Sequence, residues 1–287
     1  MRASSANVAE SSLLLWALSA VVVILAGLVV LGWLRQAHLN PHLRQRWRAT
    51  LIAAATFATG ICASVVLSLS AEALSFPLGY RLRDVPLLLV GTVLAVWPAM
   101  ILLGLSRKWY ATVGGGLWLG LVTVVIEMGW VNAVGFRPGI TWRWEFVAAA
   151  ALLLVLGIST ALRIGFSESS LVGPHHRSWR LGAAAMLSLS ILVGQEVLLS
   201  GAGLLVQVGS VFRTEVPAPL LCLVFGVVAP LALAMMMFDL RMRRSQQRRE
   251  TRRTLLKRRQ EAADTLSGAN SSFLRDTQAG TPETNRL

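Results

Sequence analysis

The chain has 287 residues, 55% hydrophobic and only 14% charged, with a mean hydropathy of +0.62 and a formal net charge of +13. A water-soluble domain of this size carries charge over its whole surface, whereas here the charge is densest after the last apolar run. Composition therefore excludes the soluble globular class and points to an all-α polytopic membrane protein.

A hydrocarbon core of ~30 Å takes ~20 residues of helix. Apolar runs of that length are predicted as seven transmembrane helices, near 12–34, 49–71, 86–105, 111–133, 145–166, 181–205 and 219–238. Residues 1–11 form a short polar segment before them. Leu13 to Leu34 is too long for a signal-peptide core and lacks a clean cleavage site before Arg35, so it is expected to be a retained helix. Cys62 and Cys222 fall inside spans, outside any pair motif, and are expected to be small packing residues.

The loops divide by charge. Arg35, Arg44, Arg46 and Arg48 follow the first span, Arg107 and Lys108 the third, and Arg163, Arg177 and Arg180 the fifth. On the opposite side Arg81, Arg83, Arg137, Arg143 and Arg213 are partly offset by Asp84, Glu145 and Glu215. Basic loops stay in the cytoplasm, so the N-terminus is expected outside and the C-terminus inside. Tryptophans favour the two interfaces. Trp33, Trp47, Trp109 and Trp179 are expected at the inner boundary and Trp16, Trp130, Trp142 and Trp144 at the outer one. Trp97 and Trp118 sit mid-span and are expected to pack inside.

The first six spans read as three repeated helix pairs, followed by a final helix. Trp47-Arg48-Ala49-Thr50 resembles Trp109-Tyr110-Ala111-Thr112 and, more weakly, Trp179-Arg180-Leu181-Gly182. Small residues follow each time, and small faces let helix backbones approach closely in lipid. The even helices are therefore expected at the centre, with the Leu- and Val-rich odd helices facing lipid. Twelve residues separate Gly60 from Glu72, Gly115 from Glu127 and Ala184 from Glu196, so the acids are repeat-equivalent. An acid within a span costs roughly 2.5–3.5 kcal/mol on the mildest scale. Glu72, Glu127 and Glu196, with Gln195 and Thr123, are the candidate intramembrane polar site. The competing reading puts each acid at a wet helix end. It is stronger for Glu72, close to Pro77, than for Glu196, which apolar residues follow.

Seven spans in this arrangement resemble the MHYT domain, a bacterial integral membrane sensor module. Phe76-Pro77-Leu78-Gly79-Tyr80 is similar to that family's proline–tyrosine loop, Pro138-Gly139-Ile140-Thr141-Trp142 to the equivalent later loop, and Asp239-Leu240-Arg241 to its exit from the seventh helix. The resemblance covers roughly residues 12 to 243 and implies a seven-helix sensor in the bacterial inner membrane. The signature Met-His-Tyr-Thr is missing. Its copies fall on Val66-Leu67-Ser68-Leu69, on Gly120-Leu121-Val122-Thr123 and near Val193-Gly194-Gln195-Glu196. His38, His42, His175 and His176 all lie in loops, so the family's proposed copper role does not transfer and no cofactor or metal is expected.

Residues 239–266 form a basic juxtamembrane segment carrying Arg241, Arg243, Arg244, Arg248, Arg249, Arg252, Arg253, Lys257, Arg258 and Arg259. It is expected to meet anionic lipid headgroups, each basic residue gaining ~1 kcal/mol, or a cytoplasmic signalling partner. Nucleic acid ranks last, because no aromatic residue is interleaved for base stacking. Residues 267–287 are polar and expected to be disordered. Catalysis is not expected. Ser200 has no histidine within a span to activate it, there is no His-Glu-x-x-His helix or phosphate loop, and the segment after the last helix is too short for a packed output domain. The leading expectation is a sensory or signalling module without its own output domain. The alternatives are a small proton- or cation-coupled transporter and a scaffold recruiting partners through the tail.

Overall fold

The computed structural model describes residues 2–71, 79–106, 108–134, 140–166, 176–204, 216–242 and 245. It divides into two units, Met1–Met237 and Phe238–Leu287. In the first, α1 is Arg2–Leu39, α2 Leu43–Ala71, α3 Asp84–Leu105, α4 Trp109–Ala133, α5 Trp144–Phe166 and α6 His176–Ser200. The seventh helix, α7, is Ala218–Met242 and runs on into the second unit. All seven are long and apolar enough to cross a membrane, and the chain is a multi-pass, all-α membrane protein. In the second unit the described residues, Phe238–Met242 and Ser245, are helical and Arg241 is exposed.

Helices α1 to α6 pack in sequence order, each on the next, and α6 closes back onto α1. Helix α2 also meets α4, α6 and the first turns of α7. In the most apolar stretch of each even helix, α2, α4 and α6, 78, 56 and 50% of residues are buried, against 39, 33, 33 and 28% for the odd ones. The small residues explain the difference. A Cβ on Gly120 of α4 would stand 2.7 Å from the Val155 backbone of α5, and one on Gly116 would strike Ser159 one turn away. Two glycines four residues apart thus let α4 and α5 approach until backbone meets side chain.

Two short antiparallel ladders join loops at the end where α2, α4 and α6 finish. Strand β1, Gly79–Tyr80, pairs with β4, Val216–Pro217; β2, Ile140–Trp142, pairs with β3, Ala202–Leu204. In the second ladder Thr141 Oγ1 donates to the Gly203 carbonyl at 3.1 Å. We call this the hairpin end.

Several expectations are corrected. Helix α6 stops at Ser200 rather than near 205, because the Arg143 N–H takes the Gly201 carbonyl at 3.0 Å and the chain turns into β3. Trp118 is not inside: it is 48% exposed, with its indole N–H donated to the Ala95 carbonyl at 2.8 Å. Pro98 has no N–H to give the Leu94 carbonyl, the neighbour of Ala95 on this helix. Trp33 and Trp130, expected at the boundaries, are buried. Trp47, Trp109, Trp144 and Trp179 are exposed near the starts of their helices, as interface residues should be, and Trp16 is exposed in the first half of α1.

Within α7 the ladder widens to a π turn over Val224–Val228, where the Ala229 N–H reaches the Val224 carbonyl. Pro230 follows at once. It cannot donate to the Gly226 carbonyl, and its ring clashes there, so the turn before it takes an extra residue. The turn carries Phe225 and Gly226 inward against α1, α2 and α4.

Candidate functional site

Four buried polar side chains stand at one level near the hairpin end. Ser64 lies seven residues inside Ala71 of α2, Glu127 six inside Ala133 of α4 and Gln195 five inside Ser200 of α6. At 1.5 Å per residue this is roughly 8–11 Å below the ends of those helices, and Ser19 of α1 is held at the same level by its bond to Ser64. Three of them are linked. Ser19 Oγ donates to Ser64 Oγ at 3.2 Å, and Ser64 Oγ donates to Gln195 Oε1 at 3.0 Å. The chain of bonds joins α1, α2 and α6. Ser68 Oγ donates to the Ser64 carbonyl, and Ser188 Oγ to the Ala20 carbonyl at 3.3 Å.

Glu127 differs. It is 1% exposed, and neither carboxylate oxygen has a hydrogen-bond partner among the described residues. It is also the only charged side chain among the buried described residues. Three positions on, and so on the same face of α4, Trp130 is fully buried with its indole N–H unpartnered there. The Cys62 thiol lies beside that indole without accepting from it in hydrogen-bond geometry. Tyr80 of β1 packs edge-on to Trp130 at 5.9 Å, its hydroxyl also buried and without a partner among the described residues, and Phe225 of the π turn packs edge-on to the same indole at 6.0 Å. Burial pushes the Tyr80 phenol well above its ordinary value. The Gln195 Nε2 amide is a further buried donor without a partner.

The candidate acids thus occupy unlike places. Glu196 is half-buried, within a turn of the end of α6, and accepts from the exposed Trp16 indole at 3.1 Å. The earlier end of α6 leaves it within a turn of the helix end. Glu127 is deep. No hydrogen bond joins it to Gln195 or Glu196 among the described residues. Thr123, one turn further in, is buried and returns its hydroxyl to the Leu119 carbonyl at 2.7 Å. Glu72 lies outside the described residues, as do Arg243, Arg244, Arg248, Arg249, Arg252, Arg253, Lys257, Arg258 and Arg259.

Ser19, Ser64, Trp130 and Tyr80 join the site without having been candidates. Among the described residues no three His, Cys, Asp or Glu side chains converge as a metal group. His38 packs edge-on to Phe166 at 5.7 Å, remote from this level. The Ser200 hydroxyl is committed to the Glu196 carbonyl at 2.7 Å. No family model matches the chain, nor does any curated protein or solved structure.

Proposed function

We propose that the chain is an integral membrane sensory or signalling module, acting through helix repacking and its basic C-terminal segment. The observation that carries the reading is the succession Glu127, Trp130, Phe225. A buried acid without a partner among the described residues lies one turn from an indole, which packs on a ring inside the π turn of the last span. A change of charge at Glu127 alters what the Trp130 side of α4 can pack against. A π turn can give up its extra residue, so α7 has a place to re-register. The resemblance to the MHYT sensor module supports the same class, with a carboxylate centre in place of imidazole. The arginine bias supports an N-terminus outside and a C-terminus in the cytoplasm, and the MHYT resemblance supports a bacterial inner membrane. The segment from Arg241 to Arg259 then meets anionic headgroups or a cytoplasmic partner.

A cation-coupled transporter is second. It needs a polar path to both faces, whereas the one chain of linked polar side chains among the described bonds, Ser19 to Ser64 to Gln195, lies near the hairpin end, and toward the other end Thr50 bonds its own helix and Thr56 its own helix and the Met236 sulfur. The test uses a single reporter cysteine at Ser245, with Cys62 and Cys222 replaced by Ala. Glu127→Gln or Trp130→Ala should change its labelling rate in vesicles by several-fold. An identical rate in all variants rejects coupling from the buried site to the last helix.

A further inference from the structure

We propose that the π turn ahead of Pro230 is a phase joint in α7: its extra residue sets the rotation of the stretch from Leu233 to Met237 against the stretch before it. Its use as a signalling element rests on the sensory reading, whereas the joint itself does not. In an α-helix each residue turns the chain by ~100°, so positions four apart run ~40° past a full turn. Before the turn the buried positions of α7 are Ala218, Leu221 and Phe225, spaced three and four as on one face of an ordinary helix. From there Phe225, Ala229 and Leu233 are spaced by four, and all three are buried. On a regular helix Leu233 would point about 80° away from Phe225. The turn over Val224–Val228, where the Ala229 N–H reaches the Val224 carbonyl, takes up one residue. Subtracting that step leaves Leu233 within about 20° of Phe225. One extra residue thus brings the buried side chains of both halves to one face.

Each half has its own anchor. In the first, Phe225 packs on Trp130 of α4 at 6.0 Å, and Cys222 lies beside Ser70 of α2. In the second, the Met236 Sδ lies 3.5 Å from Thr56 Oγ1 of α2. Pro230 stands between them and holds the joint in this position, because its ring would clash with the Gly226 carbonyl of a regular helix. Val224, Val227 and Val228 on the outward side of the turn are exposed, so no described helix packs there to resist a change in its width. Loss of the extra residue turns one half against the other by ~100°, and both anchors cannot then be kept. In the sensory reading this is how a shift at Trp130 becomes a rotation further along α7.

The test reads both anchors by cross-linking the full chain in membrane vesicles with a short bifunctional thiol reagent. The first pair is Ser70→Cys with the native Cys222, in a Cys62→Ala background. The second is Thr56→Cys with Met236→Cys, with Cys62 and Cys222 replaced by Ala. Both pairs should be joined in the parent chain. One alanine inserted after Val227 adds a further step, and the yield of at least one pair should fall several-fold. Deleting Val227 together with Pro230→Ala makes α7 a regular helix in the original phase, and both yields should stay at the parent level. The proposal is overturned by a parent that joins neither pair, by an insertion variant that keeps both, or by a folded deletion variant that loses either. If either of these variants does not fold, Pro230→Ala combined with Phe225→Ala releases the joint by point changes alone. At least one yield should then fall several-fold, and two unchanged yields overturn the proposal. A failed joint with the Ser245 reporter still coupled removes the joint and keeps the sensory reading. A joint that holds with an uncoupled reporter does the opposite.

Discussion

Ser64 and Gln195, 131 residues apart in the chain, are joined by a 3.0 Å hydrogen bond inside the bundle, and with it α2 is fixed against α6. Cross-helix bonds of this kind contribute ~0.6 kcal/mol on average and up to ~1.7 kcal/mol. Ser64→Ala and Gln195→Leu should each destabilise the protein. A double-mutant cycle by detergent unfolding should give a coupling within that range. A coupling of zero would mean that the two side chains part in the membrane.

Gly120 and Gly91 make a contrast pair. A Cβ at Gly120 meets the Val155 backbone at 2.7 Å, whereas one at Gly91 meets nothing within 4 Å. Gly120→Ala should therefore cost about 1–3 kcal/mol, the usual range for overpacking. Gly91→Ala should be neutral or slightly stabilising. Equal effects in unfolding experiments would show that the α4–α5 contact is looser than described.

Alkaline pH should act through Tyr80. Its phenol is raised by burial, so the neutral form is favoured in the fold. Its contribution is complete below the unfolded value of ~10 and is lost as pH rises past that toward the folded value. Wild type should lose stability in this window more steeply than Tyr80→Phe. Parallel curves would place the alkaline transition elsewhere.

Sidedness follows from charge alone. A cysteine placed in residues 2–10 should react with an impermeant reagent from outside, and one in the tail only from the cytoplasmic side. Reaction of both from one side would refute an odd number of crossings.

A peptide covering Asp239 to Ala263 should bind anionic vesicles and leave them as salt rises, because its attraction is screened over ~8 Å at physiological ionic strength. Equal binding to neutral vesicles would indicate a hydrophobic mechanism.

The seven helices were legible because a bilayer demands long apolar runs. The inward position of the even helices was legible because glycine and alanine at their faces have one physical use in lipid. Which tryptophan faces inward was not. Trp118 and Trp130 lie on the same helix in equally apolar surroundings, and lipid is no more polar than a protein core. Only the packing of Tyr80 and Phe225 on Trp130 separates them. Glu127 and Gln195 stood out because charge and amide are rare within spans. Ser19 and Ser64 did not. A serine in a helix commonly returns its hydroxyl to its own backbone, as Ser70 and Ser190 do here, so a cross-helix bond needs a register that sequence does not print. The early end of α6 was hidden for a similar reason. The apolar run continues past Ser200, and what stops the helix is a strand partner more than fifty residues upstream.

The β1–β4 ladder sets an order of assembly. Tyr80 is made early, yet its strand partner Val216 emerges only after six helices have been laid down. Until then β1 has no strand partner, and Tyr80 lacks the pairing that holds it beside Trp130. The contact is among the most non-local in the chain and so among the slowest to form. The setting of Tyr80 against Trp130 is thus a late event in biogenesis, and the arrival of the last helix marks a finished molecule.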